Sequence, residues 1–105
     1  MNWLEGRQGG GYKKLRLFQF LNLDCWVLWY PKGSFIRTHN DKITGRRHYR
    51  LNVVLKTGCV DDPFRCERPL FTTKRVKLFR SDYPHSVTPV ESERVVLTFG
   101  YAPKQ

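Results

Sequence analysis

The sequence predicts an all-β domain, a sandwich or barrel of short strands, and three observations carry that expectation. Runs rich in aromatic and β-branched residues recur along the chain, with Gly, Pro, Asn, Asp and Ser punctuating them about every eight to twelve residues. The 105 residues leave room for one domain, and a β-sandwich of seven or eight strands at ~5 residues each plus turns would use nearly all of it. Hydrophobic content of 40% and aromatic content of 14% supply a core and exclude a disordered chain, although 27% of the residues are charged.

Residues 1–11 are glycine-rich and read as a flexible leader, with one domain over residues 12–105. Residues 12–23 alternate imperfectly and fit a strand or a short helix. Strand is favoured because Leu15, Leu17, Phe18 and Phe20 suit a packed outer sheet and no helix cap precedes them. Asp24 is expected to break that run. Residues 25–30 are aromatic and β-rich, residues 31–34 form a turn, and a short strand over residues 35–38 delivers His39 at its end. A loop over residues 42–47 leads to a strand at 49–55, and Asp61-Asp62-Pro63 marks the next loop. Residues 69–72 and 75–79 pair as a hairpin, residues 81–84 turn the chain toward His85, and residues 94–101 form the last strand.

Two motifs fall on these strand ends. In extended backbone, side chains two apart project the same way, so His39 and Asp41 of His39-Asn40-Asp41 share a face. An imidazole from a distant strand, His85, completes two histidines and a carboxylate on one side of an ion, a set that suits non-haem Fe(II). An H-x-D alone arises by accident; the order and spacing add the information. Arg94 lies nine residues beyond His85 and opens an apolar strand, and Tyr30 precedes the first motif in Tyr30-Pro31-Lys32-Gly33-Ser34.

Over residues 25–101 these motifs resemble the Fe(II)/2-oxoglutarate-dependent oxygenases, most nearly the prolyl-hydroxylase and aspartyl-hydroxylase branches. The resemblance implies a double-stranded β-helix, the cupin-like jelly roll, stripped to a minimal core with few or no helices. It implies His39, Asp41 and His85 as the catalytic metal ligands. It makes Arg94 the anchor of the 2-oxoglutarate C5 carboxylate, whose two oxygens match a planar guanidinium. Thr98, four residues on and on the same strand face, would add a hydroxyl there, and Tyr30 would reach the same carboxylate from the opposite strand. Arg50 matches an arginine that reaches the C1 carboxylate in aspartyl-hydroxylase-like members, and Asn52 shares its face; which face of that strand looks inward stays open. The implied reaction uses O2 and 2-oxoglutarate to hydroxylate a C–H bond of a protein, peptide or amino-acid side chain, releasing succinate and CO2. A nucleic-acid dealkylating dioxygenase of the same superfamily and a non-catalytic, basic jelly-roll module that binds nucleic acid are the alternatives. Trp26, Trp29, Phe35 and Val87 are pocket-wall or core residues, and His48 is read as a loop or surface residue.

The formal net charge is +10, with cations dense over residues 13–16, 46–50 and 74–80. That field favours anionic partners, nucleic acid or ribonucleoprotein among them, or is a plain basic surface. Three cysteines cannot all pair, and their spacings match no zinc module. Reduced thiols and a cytoplasmic setting follow, with a Cys59–Cys66 bridge as the alternative. No apolar run has signal-peptide or membrane-span length, so no membrane association is expected. With few residues left for supporting helices, an exposed sheet face is expected to be covered by a second copy, making a homo-oligomer.

Overall fold

The computed structural model describes residues 3–6, 9–40, 47–57 and 62–103. Among these residues there is no helix. Ten strands form: β1 (Leu4–Glu5), β2 (Lys13–Phe20), β3 (Leu23–Tyr30), β4 (Ile36–His39), β5 (Tyr49–Thr57), β6 (Phe64–Cys66), β7 (Pro69–Thr72), β8 (Val76–Arg80), β9 (His85–Val87) and β10 (Arg94–Tyr101). They make a seven-stranded sheet, β1-β2-β3-β10-β5-β8-β7, and a three-stranded sheet, β4-β9-β6. Every pairing is antiparallel. This is the expected all-β jelly roll, and no described helix is long and apolar enough to cross a membrane.

β2 and β3 join through a two-residue loop, with Phe20 opposite Leu23. Leu21, first in that loop, has φ 53°. A positive φ there is the type II′ pattern, which normally selects glycine. Within the stretch expected as a leader, Leu4 and Glu5 pair with Lys14 and Lys13, and Trp3 meets Trp29 edge-on with ring centres 5.9 Å apart.

The core between the sheets is small: Tyr12, Tyr30, Val54, Phe64, Phe79, Val87, Val90 and Val96. Rings provide much of it, since Tyr12 stacks on Tyr30 at 5.6 Å and Phe64 meets Phe79 at 4.7 Å. Along β10 the residues Arg94, Val96, Thr98 and Gly100 are buried while Phe99 and Tyr101 are exposed. The side facing the smaller sheet is therefore the one bearing arginine and threonine. Cross-strand register extends this inner face into rows, Tyr30–Arg94–Thr57, Trp26–Thr98–Asn52 and Asp24–Gly100–Arg50.

Two readings need correction. Asp24 does not break the strand: it lies inside β3, and its carboxylate is satisfied by an arginine two strands away. His48 lies in the loop before β5, as one half of its reading has it, but is not at the surface: it is 7% exposed. Its carbonyl accepts hydrogen bonds from the Ser81 backbone N–H at 2.8 Å and hydroxyl at 3.2 Å.

Candidate active site

The site begins with a register. β4 and β9 pair so that His39 lies opposite His85, which brings residues 46 apart in sequence to a ring-centre separation of 4.3 Å with planes at 55°. Each Nδ1 faces a backbone carbonyl two residues earlier in the chain: His39 donates to Arg37 O at 2.8 Å and His85 to Tyr83 O at 3.0 Å. A carbonyl only accepts, so Nδ1 carries the proton and the neutral ring has its lone pair on Nε2, the arrangement that prepares an imidazole for a metal. Phe79 packs against His85 at 5.2 Å between ring centres. Asp41, expected as the third ligand, and Cys59 lie outside the described residues, and among the described residues no cluster of three metal-ligating side chains forms. Cys66 stands opposite His85 in β6, but burial raises its thiol pKa and leaves it protonated.

The pair opens into a cavity of about 580 Å³ between the sheets, whose wall also includes Tyr30, Arg50, Asn52, Trp26 and Thr98. Arg50 and Asn52 of β5 therefore face inward. They belong to one hydrogen-bonded chain: Arg50 Nη1 donates to Thr98 Oγ1 at 2.9 Å, Thr98 Oγ1 donates to Asn52 Oδ1 at 2.6 Å, and Arg50 Nη2 donates to Asp24 Oδ1 at 2.7 Å. Gly100 makes room for this. A Cβ there would lie 2.7 Å from both Asp24 carboxylate oxygens, so the ion pair sits directly on the β10 backbone. Of the expected wall residues, Trp26 and Val87 line the cavity, whereas Trp29 alternates to the outer side and donates to Glu93 at 3.0 Å.

Among the described residues, Arg94 differs from the other well-buried cations. Lys77 pairs with Asp62, and Arg50 with Asp24. Arg94, 2% exposed, has no carboxylate partner among the described residues, and its Nη2 makes no hydrogen bond. Its guanidinium lies 5.2 Å from the centre of the Tyr30 ring. Tyr30 is on the cavity wall and Arg94 one layer behind it. Burial holds the Tyr30 phenol well above its ordinary pKa, against the opposing pull of Arg94, so it remains an O–H donor. A buried guanidinium that has only Tyr30 for company among the described residues, with one nitrogen unsatisfied, normally costs stability, which makes this atom the one most in need of an explanation.

Sequence reasoning had singled out His39, His85, Arg94, Tyr30, Thr98, Arg50 and Asn52, and all seven line or back one cavity. It missed Asp24 and the buried His48, which also line it. The signal for Asp24 was its period-two spacing from Trp26 and Tyr30.

No protein-family model matches the chain, and no curated protein matches it. Solved structures do. A Pseudomonas putida prolyl-4-hydroxylase superposes with TM-score 0.67 at 18% identity, over 98% of this chain and 78% of that one. An RmlC-like cupin from Shewanella frigidimarina gives 0.62 at 18%, over 96% and 83%. The Rhodobacter sphaeroides SigE complex with the anti-sigma ChrR gives 0.61 at 20%, over 93% of this chain; the chain spans about half, 48%, of that match. At these identities the shared property is the cupin-like jelly-roll fold.

Proposed function

We propose that this chain is an Fe(II)- and 2-oxoglutarate-dependent dioxygenase that hydroxylates a C–H bond of a protein, peptide or amino-acid side chain. The observation that carries the reading is Arg94, a fully buried guanidinium whose Nη2 has no partner, on the inner face that meets the histidine pair. A buried cation with no carboxylate partner among the described residues, and its Nη2 left over, fits a site whose counter-charge arrives with a ligand. A carboxylate is the complementary group, since two oxygens match the guanidinium fork.

The donor set fits the metal. Imidazole nitrogens suit iron among the first-row ions, and two rings bound cis to one ion at ~2.1 Å per bond hold their centres on the order of 4–5 Å apart, as His39 and His85 do at 4.3 Å. Asp41 would supply the third, anionic ligand. Iron(II), together with bound 2-oxoglutarate and O2, supplies oxidative hydroxylation with release of succinate and CO2.

The chain's own residues do the rest. The Arg37 and Tyr83 carbonyls fix the tautomer and ring orientation of the two histidines. Arg94 receives the far carboxylate of the cosubstrate, and the protonated Tyr30 beside it donates a second hydrogen bond. Reaching Arg94 requires the Tyr30 side chain to admit the carboxylate, which makes Tyr30 the inner boundary of the cosubstrate pocket. Arg50, held by Asp24 and Thr98, sits where it can orient the nearer carboxylate, while Asn52 fixes the Thr98 hydroxyl. Trp26, Leu28 and Val87 complete the wall and keep water from the reacting carbon.

Succinate formation from 2-oxoglutarate tests the reading. It is expected to require Fe(II) and to vanish in Asp41→Ala. Metal binding without any response to 2-oxoglutarate would replace this proposal with a metal-binding cupin of other chemistry.

A further inference from the structure

Among the described residues, much of the outer side of the seven-stranded sheet is apolar and exposed. Cross-strand register assembles two rows over it, Phe20–Leu23–Tyr101–Tyr49 and Phe18–Cys25–Phe99–Leu51, with no charged side chain in either. Phe18, Phe20, Leu21, Leu23, Phe99 and Tyr101 are 37–85% exposed. At ~150–250 Å² for a large side chain they present roughly 600 Å² of apolar surface, already the upper end for the largest patch of a typical monomer. Leu17 and the half-buried Val27, Val53 and Leu97 beside them bring the area toward the ~800 Å² per partner of a standard interface.

We propose that a second copy of this chain docks on this face, two outer sheets packing about a two-fold axis through the β2–β3 hairpin. An uncharged patch is self-complementary in chemistry, as an isologous contact requires, and the area matches what such a contact buries. The hairpin tip points the same way: Leu21, 85% exposed, holds a loop position with φ 53° where glycine would be easier, and an apolar side chain in a strained, exposed position suits a contact. Half of the patch is aliphatic, and its cations gather at one end, where Arg47 and Arg80 lie 5.8 and 5.3 Å from the Tyr49 ring centre. Away from that end the uncharged, largely aliphatic surface favours a dry sheet-on-sheet contact over single-stranded nucleic acid, whose bases stack on rings beside cations. The inference is independent of the proposed enzyme activity.

Sedimentation velocity of the full chain, with and without Phe20→Glu or Leu21→Asp, tests it. Both side chains lie outside the core, so the variants are expected to keep the wild-type circular dichroism spectrum and melting temperature at low concentration. The wild type is expected to sediment at twice its 12.5 kDa monomer mass, with each substitution weakening association by more than ~30-fold. A wild type that stays monomeric at high micromolar concentration overturns the proposal, as does a dimer indifferent to both substitutions or an open-ended aggregate with no discrete dimer. A monomer that binds single-stranded DNA in a salt-dependent manner, lost in Phe20→Glu, also overturns it and assigns the face to nucleic acid.

Discussion

The two faces of the seven-stranded sheet are built from the same strands and have opposite chemistry. Beside the core residues Tyr30, Val54, Phe79 and Val96, the inner face carries Asp24, Arg50, Asn52, Arg94 and Thr98, all buried or half-buried, while the outer face carries Phe18, Phe20, Leu23, Phe99 and Tyr101 in the open. A domain that only had to fold would reverse this, placing leucine and phenylalanine within and charge without. The inversion separates two demands. The inside is arranged for a polar ligand, at a cost in intrinsic stability, and the outside holds apolar area that a further contact can bury.

The comparison breaks most easily at the histidines. His39→Ala and His85→Ala are each expected to lower Fe(II) or Mn(II) affinity by more than ~100-fold, since even outer-shell changes at metal sites reach ~10–100-fold. Equilibrium dialysis followed by metal analysis measures it, and Trp29→Phe on the outer side is expected to leave that affinity within a few-fold. Next in size is Gly100→Ala. Its Cβ would press on the Asp24–Arg50 pair, and overpacking of this kind typically costs ~1–3 kcal/mol; chemical denaturation is expected to show that loss, with cavity binding weakened alongside. The smallest effect concerns a pair at the turn before β9. Arg80 donates to Asp82 through Nε at 2.8 Å and Nη2 at 2.5 Å and holds that carboxylate below its ordinary pKa. A depressed folded pKa means stability present above the unfolded value of ~3.9 and lost as pH falls through the folded one. Asp82→Asn is therefore expected to lower stability near neutrality by about 1 kcal/mol or less and to converge on wild type in acid, which flattens the acid limb of its stability-versus-pH curve.

Much of this was legible in the sequence, and the failures have physical causes. Turn residues and β-rich runs located most of the strands, because period and punctuation are local properties. The final strand over residues 94–101 matches β10 residue for residue. The histidine pair and Arg94 were legible through order and spacing. What could not be read was the sign of each face. Period two separates Arg50 and Asn52 from Leu51 and Val53, but the usual rule would turn the aliphatic pair inward, and this sheet does the opposite. Asp24 was misread for a related reason. Aspartate is a poor strand former in general, and its stabilising partner Arg50 lies 26 residues away on a strand that is not its neighbour.

Arg94 gives the most direct test, through thermal unfolding of wild type and Arg94→Met under anaerobic Fe(II), with and without 2-oxoglutarate. Without ligand, Arg94→Met is expected to melt at or above the wild-type temperature, because a buried charge with no carboxylate partner among the described residues is replaced by an apolar side chain of similar length. With ligand at ~100 times its dissociation constant, wild type is expected to gain about 2.7 kcal/mol and the variant nothing. A variant that is strongly destabilised without ligand, or that responds to 2-oxoglutarate as wild type does, would contradict the assignment of the inner face to cosubstrate binding.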